Sequence, residues 1–225
     1  MTPLLHRPSR ASFRRGAGPA VAACAAVAVA LSGCAAEAPA GSDPGGRTAA
    51  AGATAPAPPT ATASATPPNA QDVTFAAMMI VHHGQAVWMS RTLLGKRDVP
   101  ERVAAVAGFI RTDQQREIDE MNRWLAAWKK PVVEQDDPRA AKLHGDGHGM
   151  LGKARLSALE SATDGRNATR LYLRGMIEHH RGAITMARAV LRVGRNVYIR
   201  NLAKHIINEQ GAEIEAMTRL LEDPA

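Results

Sequence analysis

The residues in this chain best suited to chemistry come as two adjacent histidine pairs, His82-His83 and His179-His180. Imidazoles ligate metals, move protons or lock a fold by hydrogen bonding, and their neighbours decide which. Those neighbours are duplicated. Met79-Ile80-Val81-His82-His83-Gly84-Gln85-Ala86-Val87-Trp88-Met89 is matched 97 residues later by Met176-Ile177-Glu178-His179-His180-Arg181-Gly182-Ala183-Ile184-Thr185-Met186. Gln114-x-x-Glu117-Ile118-x-x-Met121 is matched at an offset of 96 by Gln210-x-x-Glu213-Ile214-x-x-Met217. Imidazoles and thioethers without thiolates suit Cu(I) and Ag(I), whereas imidazoles with carboxylates suit Cu(II) or Zn(II). The primary candidate ligands are therefore His82, His83, His179 and His180, joined by Glu117, Glu213, Met79, Met89, Met176 and Met186.

Two plainer roles compete for the same residues. An imidazole buried among Met, Ile and Ala must find a partner, because an unpaired buried polar group costs about 1–3 kcal/mol. Gln114, Gln210, Glu117 and Glu213 can supply that partner, which would make the duplicated set a lock on helix register. Methionine at helical spacing can equally be core filling. A di-iron site of the ferritin type needs Glu-x-x-His on two helices, and this chain has none. His144 and His148, with Asp146 and Met150, form a second grouping in a glycine-rich segment and read either as an exposed second site or as a solvated turn. Neither a Ser-His-Asp set, nor a nucleophilic Cys, nor a phosphate-cradling glycine loop is present, so hydrolase and nucleotide chemistry have no support.

These residues need helices to position them. Phe75, Met79, His82, Ala86, Met89 and Leu93 recur at alternating spacings of four and three, which places them on one helical stripe that ends at Gly95. Tyr172, Met176, His179, Ala183, Met186 and Val190 repeat the pattern up to Gly194. Pro100 suits the first turn of the next helix, which carries Val103, Ala107, Ile110, Gln114, Ile118, Met121 and Leu125 and stops before Pro131; its counterpart carries Ile199, Ala203, Ile206, Gln210, Ile214, Met217 and Leu221. A short amphipathic helix is expected near Lys153–Ser161. The expected fold is all-α: a ferritin-like antiparallel four-helix bundle made of two duplicated hairpins with a long crossover. An internal pseudo-two-fold axis would bring His82 to His179, or leave each facing the Gln and Glu of its own hairpin.

The ends of the chain speak to location. Residues 1–33 carry Arg7, Arg10, Arg14 and Arg15 without an acidic residue, then an apolar run from Ala20 to Leu31 that is shorter than the roughly 20 residues of a spanning helix. Leu31-Ser32-Gly33-Cys34 resembles a lipobox, so residues 1–33 are read as a lipoprotein signal peptide and Cys34 as the lipidated anchor on the outer face of the membrane. The alternative is cleavage near Ala36 or Ala38 and a secreted protein. Residues 34–70, rich in Ala, Pro and Thr, read as a disordered tether, and 71–225 as the domain. Removing the four signal arginines lowers the net charge from +7 to +3. Cationic residues alternate with acidic ones, which argues against a nucleic-acid partner. With Cys24 gone, no internal disulfide can form.

The motif Met-Ile-x-His-His-x-x-Ala-x-x-Met resembles the hallmark of an exported bacterial family, the domain of unknown function 305, which is ferritin-like. The resemblance spans 72–222 and includes both copies of the motif, Gln114 to Met121, and His148-Gly149-Met150-Leu151. Some members are periplasmic copper- or silver-binding proteins, so the resemblance implies metal sequestration or trafficking rather than catalysis. Copper-binding relatives often carry Met- and His-rich tails; residues 35–70 here contain neither, so binding would rest on the bundle and its crossover. A non-metal helical interaction module, with a homo-oligomer among the partner readings, and a metal-dependent oxidoreductase are the alternatives, in that order.

Overall fold

The computed structural model of the chain describes residues 66–144 and 148–223. Cys34, the segment read as a signal peptide and Asp146 lie outside them. Six helices and no strand occur among the described residues: α1 (Ala70–Leu94), α2 (Glu101–Ala127), α3 (Pro138–Ala141), α4 (Lys153–Ser161), α5 (Gly165–Val193) and α6 (Val197–Glu222). Helices α1 and α2 form one hairpin and α5 and α6 the other, and the hairpins meet mainly along α1 and α5. None of these helices is long and apolar enough to cross a membrane.

The helix ends follow from local chemistry. Asn69 and Asp72 form a capping box at the start of α1, and Asn196 and Asp164 cap α6 and α5. Pro100 occupies the cap of α2 rather than its first turn. Asp72 also does something the periodicity does not reveal. Fully buried, it accepts hydrogen bonds from the backbone amides of Arg195 and Asn196, and so ties the start of α1 to the turn between α5 and α6. The Thr66 carbonyl accepts from Asn196 Nδ2, so the segment just before α1, expected to be tether, is bonded to the bundle.

The core divides into two clusters. One gathers Met79, Ile80, Ile118, Met121, Met186 and Ile206; the other gathers Met89, Leu93, Ile110, Tyr172, Met176 and Met217. The histidine pairs are buried with them. Helix α1 buries its neighbouring stripe too: Ile80, His83 and Val87 are buried, as are Met78 and Val81. Ile80 and Val87 share a core cluster with Ile118 of α2, His83 bonds Glu117 of α2, and the crossover helices α3 and α4 also pack against α1.

Candidate metal centre

At the α1–α5 interface the two stripe histidines meet. His82 and His179 lie with ring centroids 3.6 Å apart and planes 33° from parallel, both fully buried. Of the two arrangements open to a pseudo-two-fold axis, this is the one in which the histidines face each other. His82 Nε2 donates to the His148 carbonyl at 2.9 Å, which leaves its Nδ1 as the lone-pair nitrogen, and that atom has no partner. Neither ring nitrogen of His179 has one. Burial first, and neighbouring imidazoles second, push both rings well below the ordinary histidine pKa, so both are neutral at physiological pH.

The second member of each pair is placed differently. His83 Nε2 donates to Glu117 Oε2 at 2.6 Å and His180 Nε2 donates to Glu213 Oε2 at 2.8 Å, each bond crossing its own hairpin. Gln114 and Gln210 are buried nearby in sequence, but no histidine bond among the described residues goes to them, and their Oε1 atoms are unpartnered. The duplicated glutamates, not the glutamines, answer the outer histidines.

The crossover histidines do not form an exposed site of their own. His144 lies 5.6 Å from His82, ring to ring, and is held there by donating Nε2 to the Met78 carbonyl at 3.0 Å. His148 sits 5.6 Å from His144, edge to face. His82, His144, His148 and His179 thus form one group, in which each ring has an unpartnered Nδ1. Differences between the two motif copies make this possible. Where the first copy has Gln85, the second has Gly182, and a Cβ there would collide with the His148 carbonyl. Gly149 has φ of 72° and passes so close to the Glu178 carbonyl that a side chain would not fit. Gln85 clamps the other end of the segment, donating to the Leu151 carbonyl at 3.1 Å and accepting from its amide at 2.7 Å.

Residues 72–221 match the family model described as domain of unknown function (DUF305). The chain belongs to the DUF305 family. A DUF305 fragment from Deinococcus radiodurans is 27% identical with a TM-score of 0.60, and the match covers 70% of this chain and 99% of that one. A DUF305 protein from Streptomyces coelicolor, described as secreted, is 32% identical with a TM-score of 0.60, over 68% of this chain and 93% of that one. CopM in its Cu(II)-bound form is 32% identical with a TM-score of 0.57, over 68% of this chain and 97% of that one. CopM has also been solved in Cu(I)-bound, Ag-bound and apo forms. No curated protein matches the chain. The all-α, ferritin-like bundle expected from the duplicated hairpins is the DUF305 fold.

The remaining expected ligands of this DUF305 domain are dispersed. Met79 and Met186 lie in one core cluster, Met89 and Met176 in the other. Met186 also lines a groove of about 370 Å³ with His148 and Met78, a thioether that the motif comparison passes over because its counterpart is Gly175. Met150 lines a different cavity, beside Val81, Gly84 and Trp88.

A second group of donors lies between α2 and α6. Ligand atoms of Asp113, Glu117, His205 and Glu209 all fall within 4.8 Å of one another. Desolvation, then the charges of Asp113, Glu117 and Glu213, raise Glu209 to about 8. Asp113 and Glu209 are themselves repeat partners at the 96-residue offset, a signal hidden by the Asp-for-Glu exchange. His205 has no such signal, since its counterpart is Phe109.

Proposed function

We propose that this DUF305 protein is an extracytoplasmic, membrane-tethered carrier of soft metal ions, Cu(I) or Ag(I) in the first instance, serving sequestration or trafficking rather than catalysis. The observation that carries this reading is His179, fully buried against His82 with neither ring nitrogen hydrogen-bonded. Leaving such nitrogens unpaired costs about 1–3 kcal/mol apiece, a cost that metal ligation would offset. The donor set fits that cargo: imidazoles with unpartnered Nδ1 atoms on His82, His144, His148 and His179, and the thioethers of Met78 and Met186 in the groove that reaches His148. The CopM structures with Cu(I), Cu(II) and silver support the same cargo class. Export rests on the sequence of residues 1–33 and on the Streptomyces relative described as secreted, and the tether on Cys34.

In this reading His83 and His180 with Glu117 and Glu213 are primarily register locks. The 2.6 and 2.8 Å bonds favour the lock role for this outer pair specifically. The deciding experiment is a Cu(I) titration against a competing chelator on the untagged protein. Wild type is expected to bind at least one equivalent tightly, and His82→Ala/His179→Ala to lose it with its helical circular dichroism intact. Equal binding by both would reject the metal reading and leave a helical interaction module.

A further inference from the structure

The four donors between α2 and α6 are not part of the histidine group and differ from it in character. We propose that Asp113, Glu117, His205 and Glu209 form a second, separate cation site that takes a borderline divalent ion such as Zn²⁺ through three carboxylates and one imidazole.

Glu117 is the observation that raises this above a chance gathering of acidic side chains. Its residue is 2% exposed, and its two oxygens are in different situations. Oε2 is fixed by the 2.6 Å bond from His83. Oε1 is buried without a hydrogen bond and faces the cluster, where His205 Nε2 lies 3.4 Å away. His205 cannot satisfy it, because the same nitrogen is 2.8 Å from Glu209 Oε2. A buried carboxylate oxygen without a donor is costly, and a cation is a ready remedy.

Charge and dimensions point the same way. Arg116 engages Asp113 and also bonds Glu120 at 3.2 Å, so at most one of the cluster's three carboxylates has a resident counter-ion. A divalent cation would supply the positive charge that the rest of the cluster lacks. Zinc holds four oxygen and nitrogen ligands at about 2.0–2.2 Å in a tetrahedron, so its donors stand roughly 3.4 Å apart. The donors of this cluster lie within 4.8 Å of one another, and side-chain rotation of the half-exposed His205 and the partly exposed Glu209 would close the difference. Carboxylate-rich sets with imidazole suit Zn²⁺ and reject the soft ions that thioethers favour. A cavity of about 310 Å³ lined by Glu117, His205 and Tyr198 gives access from solvent.

The site also explains why one repeat carries a histidine that the other lacks. Asp113, Glu117 and Glu209 come from positions shared by both hairpins, and His205 alone breaks the symmetry to complete a four-donor set.

The test is Zn²⁺ titration of the metal-free full-length protein by competition with a chromophoric chelator, in wild type, His205→Ala, Glu209→Gln and His179→Leu. The two cluster substitutions fall on partly exposed side chains, so the fold tolerates them. One Zn²⁺ equivalent is expected in wild type, weakened tenfold or more in His205→Ala and Glu209→Gln, and unchanged in His179→Leu. Absence of any Zn²⁺ equivalent in wild type would overturn the site and leave a proton-sharing carboxylate cluster. An affinity that survives both cluster substitutions, or that disappears only in His179→Leu, would overturn it as well, by assigning the zinc to the histidine group.

Discussion

His82 and His179 are neutral because burial disfavours their charged forms and each faces other imidazoles. In the unfolded chain both titrate near about 6.5. Their folded values are depressed, so the unfolded state binds more protons below that pH, and their contribution to stability is present above about 6.5 and is lost on acidification. Glu209 acts in the opposite sense. Its folded value of about 8 is raised, so its contribution is present at low pH and fades as the pH rises through 8. A comparison of wild type with His82→Gln/His179→Gln cancels Glu209 and isolates the imidazoles. Between about pH 7 and pH 5 the melting temperature of metal-free wild type is expected to fall more steeply than that of the variant. Parallel profiles would mean that the facing pair is not held neutral by the fold.

At the scale of elements, the four long helices were legible because their apolar spacing is strong and stated twice. Helix α4 was legible from its own amphipathic run, whereas α3, a four-residue turn capped by Asp137, has too few residues to show a period. The crossover's position was not legible for a different reason. Matching the two copies draws attention to residues that coincide, yet the residues that seat the crossover are those that differ: Gln85 against Gly182, and Gly84 against Arg181. Gly182 is therefore the sharpest probe of this element. A methyl group there meets the His148 carbonyl and must push the crossover away from α5. Gly182→Ala is expected to destabilise the domain by about 1–3 kcal/mol, as overpacking does, and to weaken Cu(I) binding by removing His148 from the group. Gly211→Ala on α6 provides the contrast, since nothing lies within 4 Å of its Cβ position. It should stabilise the helix by up to about 1 kcal/mol and leave binding alone. Paired melting curves and Cu(I) titrations on the two variants check both statements, and a Gly182→Ala protein indistinguishable from wild type would show that the crossover does not rest on α5.

At the scale of the molecule, two hairpins are joined along α1 and α5, with lighter contact between α2 and α6. The duplication thus concentrates its chemistry at its seam: the facing imidazoles sit where the hairpins meet, and the carboxylate cluster sits where the outer helices approach. Unpaired buried polar atoms at the seam include His179 Nδ1 and Nε2 between α1 and α5, and Glu117 Oε1 between α2 and α6. An ion bound by histidines from both hairpins would act as a cross-link. Binding to the native state alone stabilises by about 2.7 kcal/mol at a free-ion concentration one hundred times Kd. For a domain of this size each kcal/mol moves Tm by roughly 2–4 °C. Ag(I), which needs no reductant, should therefore raise the melting temperature by about 5–10 °C at that saturation. The shift should vanish in His82→Ala/His179→Ala and persist in Glu213→Gln, which loosens the lock inside one hairpin without touching the seam. A silver-induced shift of equal size in all three proteins would place the ion elsewhere and separate the hairpin seam from metal binding.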